Sequence, residues 1–162
     1  MDTITPEPTQ NCVRDIMTRD IVKVGPSTSV GDIALLMSQH RISGVPVVDE
    51  QDRVLGVVTE LDMVVRNTRF KLPAFFTLLN ATIYLETPAH IKERLRHMLG
   101  LTANEIMSEK VMTITADASI EDLAELMVGR QANPIPVVEN GTLAGIVSRS
   151  DSVRWMAKGV AE

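Results

Sequence analysis

The chain of 162 residues has one cysteine, five aromatic residues and no long apolar run, and each scarcity removes a class of protein. Cys12 alone cannot form an internal disulfide, so no oxidising compartment is needed and a cytoplasmic location is expected. It lies in a Thr/Pro-rich leader, where a solvated free thiol without a role is the plain reading. The most apolar window, 72–85, contains Asn80 and falls short of the roughly 20 apolar residues that cross a bilayer, so no membrane association is expected. Residues 1–10 carry Asp2 and Glu7 and no apolar h-region, unlike a secretory signal. Positive charge is also in deficit. With 16 Lys+Arg against 21 Asp+Glu the net charge is −5, which lacks the basic field that nucleic acid or an acidic membrane requires. No GxGxxG, Gly-Lys-Ser/Thr phosphate loop, Cys/His pair or Ser/His/Asp ordering is present, so the chain is read as a non-enzyme.

What the chain does have is apolar content and an internal repeat. Apolar residues make up 44% of it, and a chain of this length buries roughly 70% of its unfolded surface without a disulfide or metal staple. The hexapeptide Val13-Arg14-Asp15-Ile16-Met17-Thr18 returns 90 positions later as Ala103-Asn104-Glu105-Ile106-Met107-Ser108. The same offset carries Val45-Pro46-Val47-Val48 onto Ile135-Pro136-Val137-Val138. One residue is then dropped, and Gly56, Thr59 and Asp62 match Gly145, Ser148 and Asp151.

Each copy reads β-α-β-β-α. Ile21–Val24 and Val111–Ile114 are short β-rich runs closed by turns. Val30, Ile33, Ala34 and Met37 fall at i, i+3, i+4 and i+7, as do Ile120, Leu123, Ala124 and Met127, and predict helices capped by Ser29 with Asp32 and by Ser119 with Asp122. Strands are predicted over 45–48 and 54–58, and over 135–138 and 143–147, with a last helix from Glu60 or Arg149. The expected division is a flexible leader 1–12, repeat 1 over 13–68, a helical insertion 69–101 and repeat 2 over 102–162. A sheet of about 50 residues buries too little alone, so the α+β copies are expected to pack sheet to sheet about a pseudo-twofold axis. Within the insertion, Pro88 after Thr87 starts an amphipathic helix that Gly100 stops. The stretch before it holds four of the five aromatic residues and reads as packing or as a docking surface.

The segments Ser43-Gly44-Val45-Pro46-Val47-Val48-Asp49 and Gly56-Val57-Val58-Thr59-Glu60-Leu61-Asp62, with the second signature Gly145-Ile146-Val147-Ser148-Arg149-Ser150-Asp151, resemble the cystathionine-β-synthase-type (CBS) domain. Two copies in tandem are similar to a CBS pair. The resemblance implies clefts between the repeats that take AMP, ADP, ATP or S-adenosylmethionine as a regulatory ligand, with no required cofactor. It further implies a homodimer and an effector protein that reads the bound state.

The residues support a receptor on their own terms. An Asp three positions after Thr or Ser, in the first turn of a helix, projects its carboxylate beside the hydroxyl and the open helix N–H groups. Thr59 with Asp62 and Ser148 with Asp151 can therefore hold ribose hydroxyls and a phosphate, and they can equally be helix-capping pairs. The family's first strand usually has a preceding Gly and a ligand-reaching Thr. Here the Gly positions are Ile21 and Val111, and the Thr position is Lys23 in one copy and Thr113 in the other. Lys23 offers a charge for phosphate or is a solvated strand residue. Arg149 follows Ser148 and favours an anion, whereas Glu60 takes that place in repeat 1, so the clefts are expected to be unequal. With no aromatic residue in either motif, aliphatic walls from Val22, Val45, Met112 and Ile135 are the candidates to hold adenine, core packing being their alternative reading. His90, Glu93 and His97 share a helical face but stand among Lys92, Arg94 and Arg96, so a solvated face is read there and no metal site. A dimeric interaction scaffold with degenerate clefts is the alternative to the regulatory reading.

Overall fold

The computed structural model describes residues 11–65, 76–78, 81–83 and 100–160. Its elements run α1 (Val13–Ile16), α2 (Val30–His40), β1 (Gly44–Val48), β2 (Val54–Thr59), α3 (Glu60–Val65), β3 (Phe76–Leu78), β4 (Ala81–Ile83), α4 (Ala103–Ile106), β5 (Ile114–Thr115), α5 (Ile120–Gly129), β6 (Ile135–Glu139), β7 (Thr142–Val147) and α6 (Arg149–Val160). This is an α+β chain with small sheets, as its periodicities require.

The long helices form where the apolar spacing places them. Ser29 Oγ accepts the Asp32 N–H at 3.1 Å and donates to the Asp32 carboxylate at 2.6 Å. Ser119 and Asp122 repeat the arrangement at 3.0 and 2.7 Å. Such caps satisfy N–H groups that have no partner within the helix, at a worth of about 1 kcal/mol each. Val30, Ile33 and Met37 then face the interior from α2, and Leu123 and Met127 from α5.

β1 and β2 are antiparallel with Val45 opposite Val58 and Val47 opposite Gly56; β6 and β7 repeat this with Ile135 opposite Val147 and Val137 opposite Gly145. A register shift falls at Val47/Val48 and again at Val137/Val138, so the irregularity itself is duplicated. The β6–β7 turn places Asn140 at φ 52° and Gly141 at φ 82°, the left-handed pair that a tight hairpin uses.

The first strand of each copy is shorter than its β-rich run. In repeat 1 it reduces to one parallel bridge, Val24 to Val47; in repeat 2 it is Ile114–Thr115 beside β6. Val24 donates to the Pro46 carbonyl at 3.1 Å and accepts from Val48 N–H at 2.9 Å. Continuing the ladder back to Val22 would need an N–H at position 46, and Pro46 has none. Pro136 ends the second ladder at the equivalent step. Met112 and Thr113, like Val22 and Lys23, therefore have no main-chain hydrogen bond to another described residue.

The chain divides into two compact units, one built from residues up to Ile21 together with Met112 onward, the other from Val22 to Val111. Each unit thus contains the opening hexapeptide of the other copy. In the first unit, Val13 N–H bonds Ala118 O at 3.0 Å, Arg14 N–H bonds Ala116 O at 2.8 Å, and Thr18 and Ile146 exchange two main-chain bonds. Val13, Ile16 and Met17 are buried there among Leu123, Ile135, Val137 and Val147. The Arg14 guanidinium fastens the segment further, reaching Asp117 at 2.8 Å and Glu139 at 2.6 Å. In the second unit, Ala103 N–H bonds Thr28 O at 2.8 Å, Ser108 and Val57 exchange two bonds, and Ala103, Ile106 and Met107 lie buried among Val30, Ile33, Val45 and Val58. Cys12 caps α1 and pairs as an isolated bridge with Ser119.

Between the copies, β3 and β4 form a short antiparallel hairpin with Phe76 opposite Ile83 and Thr77 opposite Thr82. β-Branched Thr77, Thr82 and Ile83 on either side of Asn80 carry that signal, in a stretch expected to be helical. The helix expected from Thr87 and the cluster of His90, Glu93 and His97 lie outside the described residues.

Candidate functional site

Both hydroxyl–carboxylate pairs stand where a strand runs into a helix. In repeat 2, β7 ends at Val147 and α6 begins at Arg149, so Ser148 is the hinge and Asp151 lies in the first turn. One Asp151 oxygen accepts Ser148 N–H at 2.7 Å and Ser148 Oγ at 2.6 Å. The other accepts Thr18 Oγ1 at 3.1 Å and faces Arg154 Nη1 at 3.3 Å. At 6% exposure, Asp151 is the one charged side chain buried among the described residues. Burying a carboxylate is unfavourable unless donors or an opposite charge surround it, and here three hydrogen bonds and the Arg154 guanidinium do.

Repeat 1 is built alike. Asp62 accepts Thr59 N–H at 2.8 Å and Thr59 Oγ1 at 2.7 Å through one oxygen, and Ser108 Oγ at 3.2 Å through the other. The capping role weighed against ligand contact is thus present in both copies. It engages one oxygen of each carboxylate, and the second oxygen accepts a hydroxyl from the opening segment.

The remaining candidates separate by burial. Val45 and Ile135 are 0% exposed and belong to the unit cores. Val22 is half-buried against its core, whereas Met112, at 41% exposure, and Thr113 present themselves to solvent. Lys23 is exposed and paired with Asp52 on the β1–β2 turn, an interaction worth about 0.2–1 kcal/mol that an incoming anion can replace. Arg149 is exposed, with its N–H on Asn133 Oδ1 at 2.9 Å; the N–H of Glu60 goes instead to the Ser43 carbonyl at 3.1 Å. Of the candidates, Val22, Lys23, Val45, Thr59 and Asp62 belong to one unit, and Met112, Thr113, Ile135, Ser148, Arg149 and Asp151 to the other. Sequence reasoning passed over Thr18, Ser108, Asn133 and Arg154. The signal for the first two was available: a hydroxyl residue follows Ile-Met in both copies. Among the described residues, no group of His, Cys, Asp and Glu is arranged to hold a metal ion, and no helix is long and apolar enough to cross a membrane.

The family model of the CBS domain matches residues 13–66 and 103–157. The chain belongs to the CBS-domain family. Two CBS domains in tandem account for both copies of the signature. Protein MJ1426 of Methanocaldococcus jannaschii is similar at 30% identity over 151 residues, 87% of this chain and 88% of its own. Two further archaeal relatives are longer, the CBS pair spanning 32% of MJ1404 from the same organism and 59% of MK0525 from Methanopyrus kandleri. Among crystal structures, the CBS-pair protein CBSX2 from Arabidopsis thaliana matches with a TM-score of 0.72 at 25% identity, over 95% of this chain and 99% of CBSX2. CBSX2 has also been solved in complex with AMP, with a TM-score of 0.67 at 24% identity over 93% and 98% of the two chains. The CBS domain pair of protein MJ0100, in complex with 5′-methylthioadenosine and S-adenosyl-L-methionine, has a TM-score of 0.66 at 21% identity over 92% and 98%.

Proposed function

We propose that this CBS pair is a non-enzymatic regulatory module that binds an adenosine-containing ligand, AMP, ADP, ATP or S-adenosylmethionine, and passes the bound state to an effector protein as a homodimer in the cytoplasm. The observation that carries the reading is Asp151, a buried carboxylate held at a helix start beside a hydroxyl and duplicated as Asp62. A carboxylate so placed accepts from vicinal ribose hydroxyls, and the helix N-terminus favours the phosphate. Residues 22–23 and 112–113, where proline ends each ladder, offer main-chain groups to a base edge. The AMP complex of CBSX2 and the S-adenosyl-L-methionine complex of MJ0100 support the choice of ligand class. On ligand binding the pair changes conformation or rigidity, which an effector reads.

A thermal-shift panel with the four ligands tests this. At about 100 times its dissociation constant a ligand adds roughly 2.7 kcal/mol, a midpoint rise of about 5–10 °C at this size. Asp151→Ala is expected to remove more of the ATP-induced rise than Asp62→Ala, because exposed Arg149 attends the first and Glu60 the second, each rise being measured from the variant's own unliganded midpoint. Equal losses would remove the inequality of the two sites. No rise with any ligand would favour the second reading, a dimeric interaction scaffold. That alternative is motivated by the engagement of both carboxylates in helix caps and the closure of Val45 and Ile135 into the cores.

A further inference from the structure

The opening hexapeptides carry a hydroxyl residue that the ligand reading leaves without a role. Thr18 donates to Asp151, and Ser108 donates to Asp62, from segments that belong by sequence to the opposite copy. A carboxylate offers about four lone-pair positions. At Asp151, Ser148 N–H, Ser148 Oγ and Thr18 Oγ1 fill three of these, the Arg154 guanidinium stands as an ion pair at 3.3 Å, and the side chain is 6% exposed. A diol donates two hydrogen bonds and finds at most one position open, so both of its hydroxyls reach this carboxylate only by replacing a donor. The two cap donors are local and short, at 2.7 and 2.6 Å. Arg154 is 64% exposed and can swing into solvent, which opens one position on the oxygen it shares with Thr18; the second position on that oxygen is the one Thr18 holds.

Resting on the adenosine-ligand reading above, we propose that Thr18 is a built-in competitor: its hydroxyl occupies the acceptor position that a ribose hydroxyl takes, and Ser108 does the same at Asp62. The two main-chain bonds between Thr18 and Ile146, at 2.8 and 2.9 Å, hold the competitor at high local concentration. Binding then removes the side-chain tie between the opening segment and α6, so occupancy at the carboxylate is linked to the seating of residues 13–18. Because the segment joins one copy to the other's packing unit, this couples the ligand to the connection between the copies.

The test is isothermal titration of the full chain with AMP, alongside hydrogen exchange of residues 13–18 with and without AMP. Thr18→Val keeps the shape and removes the donor. It is expected to bind AMP roughly three- to tenfold more tightly, the worth of one displaced hydrogen bond, while its unliganded midpoint falls. Thr18→Ser is expected to restore wild-type affinity, and Ser108→Ala to tighten the second site. AMP is expected to speed exchange at residues 13–18 in the wild type and to leave it unchanged in Thr18→Val. Wild-type binding with equal or weaker binding by Thr18→Val would overturn the competitor role alone, since a structural hydroxyl moves the midpoint and not the affinity. Binding by Thr18→Val where the wild type shows none would support it. Absence of binding in both, with folded protein, would overturn the adenosine-ligand reading together with it.

Discussion

Gly56 and Gly145 lack a side chain because a methionine occupies the place. A Cβ at Gly56 would lie 2.5 Å from Met107 Sδ, 2.8 Å from its Cγ and 3.0 Å from its Cβ, so the whole methionine would have to move. At Gly145 the conflict is with Met17 Sδ at 2.6 Å and the Thr18 carbonyl at 3.3 Å. Replacing glycine by alanine gains about 0.4–1 kcal/mol through the unfolded chain. Overpacking a close-packed interior costs about 1–3 kcal/mol and wins. Gly56→Ala is therefore expected to lower the urea midpoint, and Met107→Ala to lower it by its own cavity. The double variant should lose clearly less than the two single losses together, since the alanine Cβ then meets no methionine. Additive losses would show that the Gly56–Met107 fit has no energetic weight.

The β1–β2 hairpin depends on one carboxylate. Asp49 accepts the N–H groups of Gln51 and Arg53, both at 2.9 Å, and Arg53 Nε at 2.7 Å, while Asp52 takes a left-handed φ of 59°. Backbone hydrogen bonding from Arg53, outweighing the opposing desolvation, holds the Asp49 carboxyl below its ordinary value of 3.8. A depressed folded value means that the contribution is present above the unfolded value and is lost as pH falls through the folded one. The stability difference between wild type and Asp49→Asn should accordingly be full at neutral pH and shrink as pH drops below about 4. A pH-independent difference in urea titrations would assign the turn to shape and not to charge. Helices α2 and α5, with their caps, were legible from spacing alone, because an apolar stripe of period 3.6 has one way to bury itself. The first strands were overread: β propensity marked both runs, but pairing is decided by the partner, and Pro46 and Pro136 withhold the N–H that would extend it.

At the scale of the molecule, the repeat of the sequence and the unit of packing are different stretches. A fragment covering residues 13–68 keeps its own opening hexapeptide and loses Ala103, Ile106 and Met107, which complete the core around Ile33, Val45 and Val58. Deleting three buried side chains, at about 1.5–3 kcal/mol for each large one, removes as much as a small domain has in reserve. The fragment 22–111 retains them. Circular dichroism during urea unfolding is expected to show a cooperative transition for 22–111 and none for 13–68; two equal transitions would mean that the hexapeptides dock without stabilising.

The duplication, the α+β order, the capped helices and the hydroxyl–carboxylate pairs were determined by the sequence, because each is a short-range pattern with a fixed period or spacing. Where Ile16-Met17-Thr18 and Ile106-Met107-Ser108 dock was decided only in the tertiary structure. Each apolar pair is too short to bury itself and needs a slot, and the slot is a glycine on a strand, 51 residues from Met107 in one case and 128 from Met17 in the other. The same docking brings Thr18 to Asp151 and Ser108 to Asp62, so the surroundings of each carboxylate are set by a segment that no local window contains.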